Sequence, residues 1–154
     1  MRLNIYISLL IGLFIINSHN LPVFAMGGDS NKKSDLGSEF LSGKKAIKES
    51  RFDDAITELK KSSIANPNNA DIENLIGYSY RQKKNYEKAF FHYNNALKFD
   101  SKHKGAMEYM GIAYLETGNL AAAEKLFVIL KDLCAFCKER RSLDKAIKSY
   151  KRSN

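Results

Sequence analysis

The chain repeats itself every 34 residues. Gly43, Gly77 and Gly111 stand at that interval, and so do Ala55, Ala89 and Ala123. Phe52, Tyr86 and Leu120 form a third column, and Leu59, Tyr93 and Phe127 a fourth. With glycine at about 7% of residues, two further glycines at preset positions arise by chance about 0.005 of the time, and the alanine column lowers that again. A fixed period of this length means one supersecondary unit used three times. Such a unit cannot bury its apolar face alone, so the copies must stack.

Each unit reads as two helices. Leu75, Ile76 and Tyr80, then Phe90, Tyr93 and Leu97, recur at three- and four-residue steps that place them along one face. Gly77 and Ala89 are small where two helices of a hairpin come close. Asn85 and Asn119 stand where a second helix begins, and Asn68 and Asn69 follow Pro67 where the next first helix begins, all suited to N-capping. Only two prolines occur, Pro22 and Pro67, so long stretches are free to be helical. The expected fold class is all-α.

These columns resemble the tetratricopeptide (TPR) repeat. Its first helix, helix A, is similar to Ile76-Gly77 with Tyr80 and to Met110-Gly111 with Tyr114. Its helix B is similar to Tyr86, Ala89, Tyr93 and Ala96, and to Leu120, Ala123 and Phe127, while Pro67 stands at the closing proline position. The resemblance implies three helix-turn-helix hairpins at 36–69, 70–103 and 104–137, stacked as a short right-handed solenoid. The first repeat departs from the pattern, with Ser42 and Ala46 where Ile76/Met110 and Tyr80/Tyr114 stand later. A terminal repeat has no outer neighbour, so a thin wall is expected there, and with it fraying.

The N-terminus carries Arg2, then an apolar run from Ile5 to Ile16, then Pro22 and Val23-Phe24-Ala25. A basic start, a short apolar core and small residues at −3 and −1 read as a secretory signal over 1–25, cut after Ala25. The run is short for a membrane-spanning helix, which needs about 20 residues, although an uncleaved anchor is the alternative. Residues 26–35, rich in Gly, Ser and Lys, read as a flexible leader. The expected location is periplasmic or secreted, with no integral membrane segment once the signal is removed. The formal charge of +8 reads as diffuse, because 17 acidic residues are spread among 25 basic ones. Outside the cytoplasm it argues against nucleic acid and leaves an anionic surface open as a partner.

Beyond the third repeat, Leu143, Ala146, Ile147 and Tyr150 fall at i, i+3, i+4 and i+7, so 138–154 reads as a basic amphipathic helix that caps the stack. Cys134 and Cys137 are the only cysteines. In an exported chain the pair suggests a structural disulfide. A redox-active pair and a metal or free-thiol site are the alternatives, although His92 and His103 lie far back in the second repeat and zinc needs about four ligands. Small exported bacterial TPR proteins look similar in layout, with a cysteine-bearing linker leading to such a helix. That resemblance implies a periplasmic location and no defined activity.

No nucleophile, phosphate loop or metal motif is visible, so the chain reads as non-enzymatic, with no cofactor and no metal. His92 reads as solvated on the outside of helix B. In TPR proteins helix A side chains line a concave groove, and the register carries that role to Phe40, Lys44, Lys48, Asp71, Asn74, Tyr78, Arg81, Gln82, Glu108, Tyr109, Ile112 and Glu116. Ile112 reads equally well as packing between repeats. The mixture suits a peptide or helix laid along the groove, making the chain an interaction scaffold of the bacterial envelope. The clamp of Lys, Asn and Arg with which chaperone-binding TPR domains hold a terminal carboxylate is replaced here by Phe40, Leu75, Gly105 and Tyr109. Two other readings stand beside the scaffold: a thiol–disulfide participant through Cys134 and Cys137, and a binder of anionic envelope surfaces through the basic C-terminal helix.

Overall fold

A computed structural model describes residues 37–154, which form seven α-helices and, among the described residues, no strand. The signal expected at 1–25 and the leader at 26–35 lie outside the described residues. The A helices are α1 (Ser38–Lys48), α3 (Ala70–Gln82) and α5 (Lys104–Glu116). The B helices are α2 (Phe52–Ala65), α4 (Tyr86–Phe99) and α6 (Leu120–Leu133), and α7 (Lys138–Ser153) closes the chain. Each B helix begins 34 residues after the previous one, at 52, 86 and 120, and ends with the same interval, at 65, 99 and 133.

Local chemistry sets these boundaries. Asn69, Asn85 and Asn119 each accept the backbone N–H three residues on, from Ile72, Lys88 and Ala122. His103 does the same for α5, its Nδ1 accepting from Ala106 N–H at 2.9 Å. In the first repeat Arg51 stands where Asn85 and Asn119 stand later, and no side chain caps α2. The turn between A and B helices places Ser50, Lys84 and Gly118 at φ of 56°, 61° and 81°. Only the third copy has the glycine that this left-handed backbone favours.

Each hairpin pairs its own helices, and each B helix packs on the next A helix, so neighbours bury one another in sequence order. Ala55, Ala89 and Ala123 are fully buried, as are Leu59, Ile72, Tyr93 and Leu130. The glycine column marks the closest approaches. A Cβ on Gly43 would lie 2.6 Å from Leu59, and one on Gly77 would lie 2.7 Å from the Tyr93 ring. The third glycine has a different partner, because a Cβ on Gly111 would lie 2.8 Å from Leu143 of α7. The cap thus drives a leucine onto α5, and Phe127, the column mate of Leu59 and Tyr93, stays half-buried. Leu143 and Ile147 are buried, with Ala146 and Tyr150 packed beside them. No described helix is long and apolar enough to cross a membrane.

Two expectations are corrected by the packing. Phe40 is a core residue, 8% exposed, because it shares a face with Gly43, Ala46 and Ile47 that turns toward α2 and α3. It therefore does not line an open groove. His92 is not solvated: its Nδ1 lies 2.8 Å from Glu73 Oε2 and its ring stacks on Tyr80 at 5.4 Å. Glu73 draws it inward, since a carboxylate 8% exposed needs partners, and Asn95 supplies another at 3.2 Å.

Candidate functional site

The A helices are neighbours across repeats, α1 with α3 and α3 with α5, so their side chains form one continuous face. At its centre Tyr78 of α3 and Tyr109 of α5 meet with ring centroids 5.0 Å apart. Both sit one residue beyond the inward-facing stripe, Tyr78 after Gly77 and Tyr109 before Met110, and both remain half-buried. Phe52, at the start of α2, meets Tyr78 edge-on at 6.4 Å and extends the aromatic row toward the first repeat.

Arg81, one turn after Tyr78, lays its guanidinium over both rings, 5.3 Å from Tyr78 and 5.9 Å from Tyr109. Its side chain is only 9% exposed, and Nη1 donates to Glu116 Oε1 at 2.7 Å. A guanidinium this enclosed requires such a partner, and Glu116 lies 35 residues away, in the next repeat's A helix. Lys84 adds a second cation 3.9 Å from Glu116. The Arg81 Nε is buried with no partner among the described residues. Burial also holds the Tyr109 phenol above its ordinary pKa, so it stays a neutral donor.

The remaining residues expected here divide. Lys44 and Lys48 are exposed along α1, with Lys44 Nζ 5.3 Å above the Phe40 ring. Gln82 is half-buried at the end of α3. Asp71 is exposed and bonds His103 Nε2 at 3.0 Å, and that bond holds its carboxyl below the usual range. Asn74 is 6% exposed with its Oδ1 unpartnered, and its amide faces the Gly105 backbone, so it packs between α3 and α5 rather than lining open surface. Glu108 and Ile112 lie toward the cap. Burial pushes the Glu108 carboxyl up in pKa, a bond from Ser142 of α7 opposing it. Ile112 joins the cluster formed with Leu143 and Ile147, which settles it as packing.

The sequence reading did not assign Phe52 and Lys84 to this face. The signal lay in their positions beside the A–B turn, where side chains from the next helix can reach the A row. The face offers packed, mutually tilted rings, two phenol hydroxyls, a charge-balanced guanidinium and flanking lysines. Chemically, such a surface offers apolar contact to a side chain and hydrogen-bond donors to a peptide backbone. Among the described residues no group of three or more His, Cys, Asp or Glu could hold a metal.

Cys134 is the C-cap of α6 and Cys137 the N-cap of α7. The two are adjacent, Cα atoms 5.7 Å apart, within the ordinary span of a disulfide.

No family model matches the chain, and no curated protein is similar to it in sequence. Solved structures are similar in fold. A complex of the yeast Sti1 TPR2B domain with pHsp70 matches with a TM-score of 0.69 at 15% identity, over 75% of this chain and 95% of that one. The second TPR domain of human RPAP3, in complex with the HSP70 peptide SGPTIEEVD, matches at 0.65 and 23% identity, over 74% and 92%. A CopN–Scc3 complex matches at 0.62 and 18% identity, over 86% and 81%. The chain has the tetratricopeptide fold.

Proposed function

We propose that this chain, a tetratricopeptide fold of three hairpins and a cap, is a non-enzymatic interaction scaffold of the bacterial envelope. It binds a peptide or helix across its A-helix face. The observation that carries this reading is the Tyr78–Tyr109 pair under Arg81, a packed aromatic platform that stays partly exposed at the centre of the A-helix face. Tyrosine and arginine are enriched among residues that dominate interface energetics; tyrosine offers large contact area at little conformational cost, and Arg81 is already held by Glu116. Neighbours of the same fold are bound to Hsp70-derived partners, which supports peptide binding by such a face. The carboxylate clamp is not proposed, because Phe40, Leu75, Gly105 and Tyr109 replace its residues.

The test is capture of partners from an envelope extract by wild type and by Tyr78→Ala/Tyr109→Ala. Two such truncations cost about 2 kcal/mol each, so recovery of the bound partner should fall at least tenfold while helical content is kept. Undiminished capture would move the interface off this face. The envelope location rests on residues 1–25, and a released protein beginning at Met26 is the result it requires.

The cysteine pair supports a second reading as a thiol–disulfide participant. Cys137 opens a 16-residue helix, a position that favours a thiolate. A mixed disulfide trapped on Cys137 of the Cys134→Ser protein in cells would establish it. Absence of any free thiol, and of trapped species, keeps the pair structural.

A further inference from the structure

The positive charge is not diffuse. Residues 131–154 contain eight basic and three acidic side chains, a net of +5, whereas 37–130 contain 14 and 12, a net of +2. The fold then sorts this excess. Helix α7 spends one face on Leu143 and Ile147 against α5 and α6. Its opposite face carries Lys138, Arg141, Lys145, Lys148 and Arg152, all exposed, at i, i+3, i+7, i+10 and i+14. That spacing makes a straight row about 21 Å long with no acidic residue in it.

Elsewhere Arg51, Lys61, Arg81, Lys83 and Lys84 pair with carboxylates, and the 12 acidic side chains of 37–130 nearly offset its 14 basic ones. Within the row only Lys148 does, with Asp144 at 2.7 Å. Two residues ahead of the row Phe136 stands 86% exposed, at the turn where Cys134 and Cys137 meet. A solubilising face needs neither an unbalanced single-sign row nor a large aromatic at its head.

We propose that this face of α7 docks on an anionic phospholipid bilayer, with the cation row lying along the headgroups and Phe136 entering the interface. A rigid, straight row suits a planar field of charge. Nucleic-acid surfaces interleave aromatics with cations to stack on bases, and here the aromatic stands alone at one end. The membrane context rests on the reading of residues 1–25 as a signal or anchor, which takes the chain to a membrane whether that segment is cut or retained. Each cation close to an anionic leaflet multiplies binding about fivefold. The α7 face carries no other exposed apolar side chain, so attachment is peripheral and salt-sensitive. Tyr78 and Tyr109 lie outside the row, so different variants test the two proposals.

The experiment is vesicle co-sedimentation of a chain beginning at Ser34, the compact unit that holds every described helix. Phosphatidylcholine vesicles are used with and without phosphatidylglycerol, at low and high salt. Binding is expected only with phosphatidylglycerol, and high salt should abolish it. Arg141→Gln/Lys145→Gln/Arg152→Gln should weaken it about a hundredfold. These three residues are exposed, so circular dichroism should be unchanged. Tyr78→Ala/Tyr109→Ala should bind vesicles like wild type. Equal binding to both vesicles, or an unaffected triple variant, would overturn the proposal. Tighter binding to a short oligonucleotide than to phosphatidylglycerol would also overturn it and assign the row to nucleic acid.

Discussion

Replacing Gly77 and Gly111 by Ala perturbs the same column of the repeat against two different partners. An alanine Cβ at 77 would sit 2.7 Å from the Tyr93 ring and 3.2 Å from the Ala89 carbonyl oxygen. Ordinary van der Waals contact needs roughly 3.5–4.0 Å, so the ring would have to move by close to an ångström. Tyr93 is fully buried and cannot swing into solvent. Over-packing of this kind costs up to about 3 kcal/mol, and the better helix propensity of Ala offsets about 1. The net loss is about 2 kcal/mol, a fall in Tm of about 8 °C for a domain of this size.

At 111 the clash is with Leu143, 2.8 Å away on α7, so the loss should fall on the cap. Hydrogen exchange should show α7 opening while α3 and α4 stay protected. Combining Gly111→Ala with Leu143→Ala removes the clash, so the double variant should be more stable than the two single losses added, by about 2 kcal/mol. Urea unfolding measures all four proteins. A neutral or stabilising Gly77→Ala, or strictly additive losses at 111 and 143, would refute the close-approach argument.

Three further outcomes are expected. Lys84→Gly relieves a left-handed backbone at φ 61° and should raise stability by about 0.5–1 kcal/mol in urea melts, whereas Lys83→Gly, outside that conformation, should lower it. Cys134→Ser/Cys137→Ser opens a four-residue loop and should lower stability by about 2 kcal/mol, with partner capture preserved. Asp71 has its folded pKa depressed below the ordinary 3.8 by the His103 bond, so its stabilisation is present above that value and is lost as pH falls through the lowered one. Asp71→Asn should therefore flatten the acid limb of a stability profile measured by urea midpoints.

The sequence by itself determined the unit and its number. Glycine and alanine columns recur every 34 residues in all three copies, and the asparagine caps in the last two, because small contacts and helix starts are local requirements. The φ-positive turn at 50, 84 and 118 keeps the same interval, yet Ser50 and Lys84 gave no sign of it in the sequence. Tyr78, Tyr109 and Arg81 could be placed on one face by register alone. What only the tertiary structure decided is which neighbour fills each inward space. Periodicity says that Gly111 faces a bulky side chain; it does not say that Leu143 of the cap supplies it in place of Phe127. Nor does it say that Glu73 draws His92 inward, that Phe40 closes the core, or that Arg81 is enclosed and balanced by Glu116 a repeat away. A helical pattern fixes the direction of a side chain from its own axis, whereas burial and charge pairing depend on the distance and angle of a second helix.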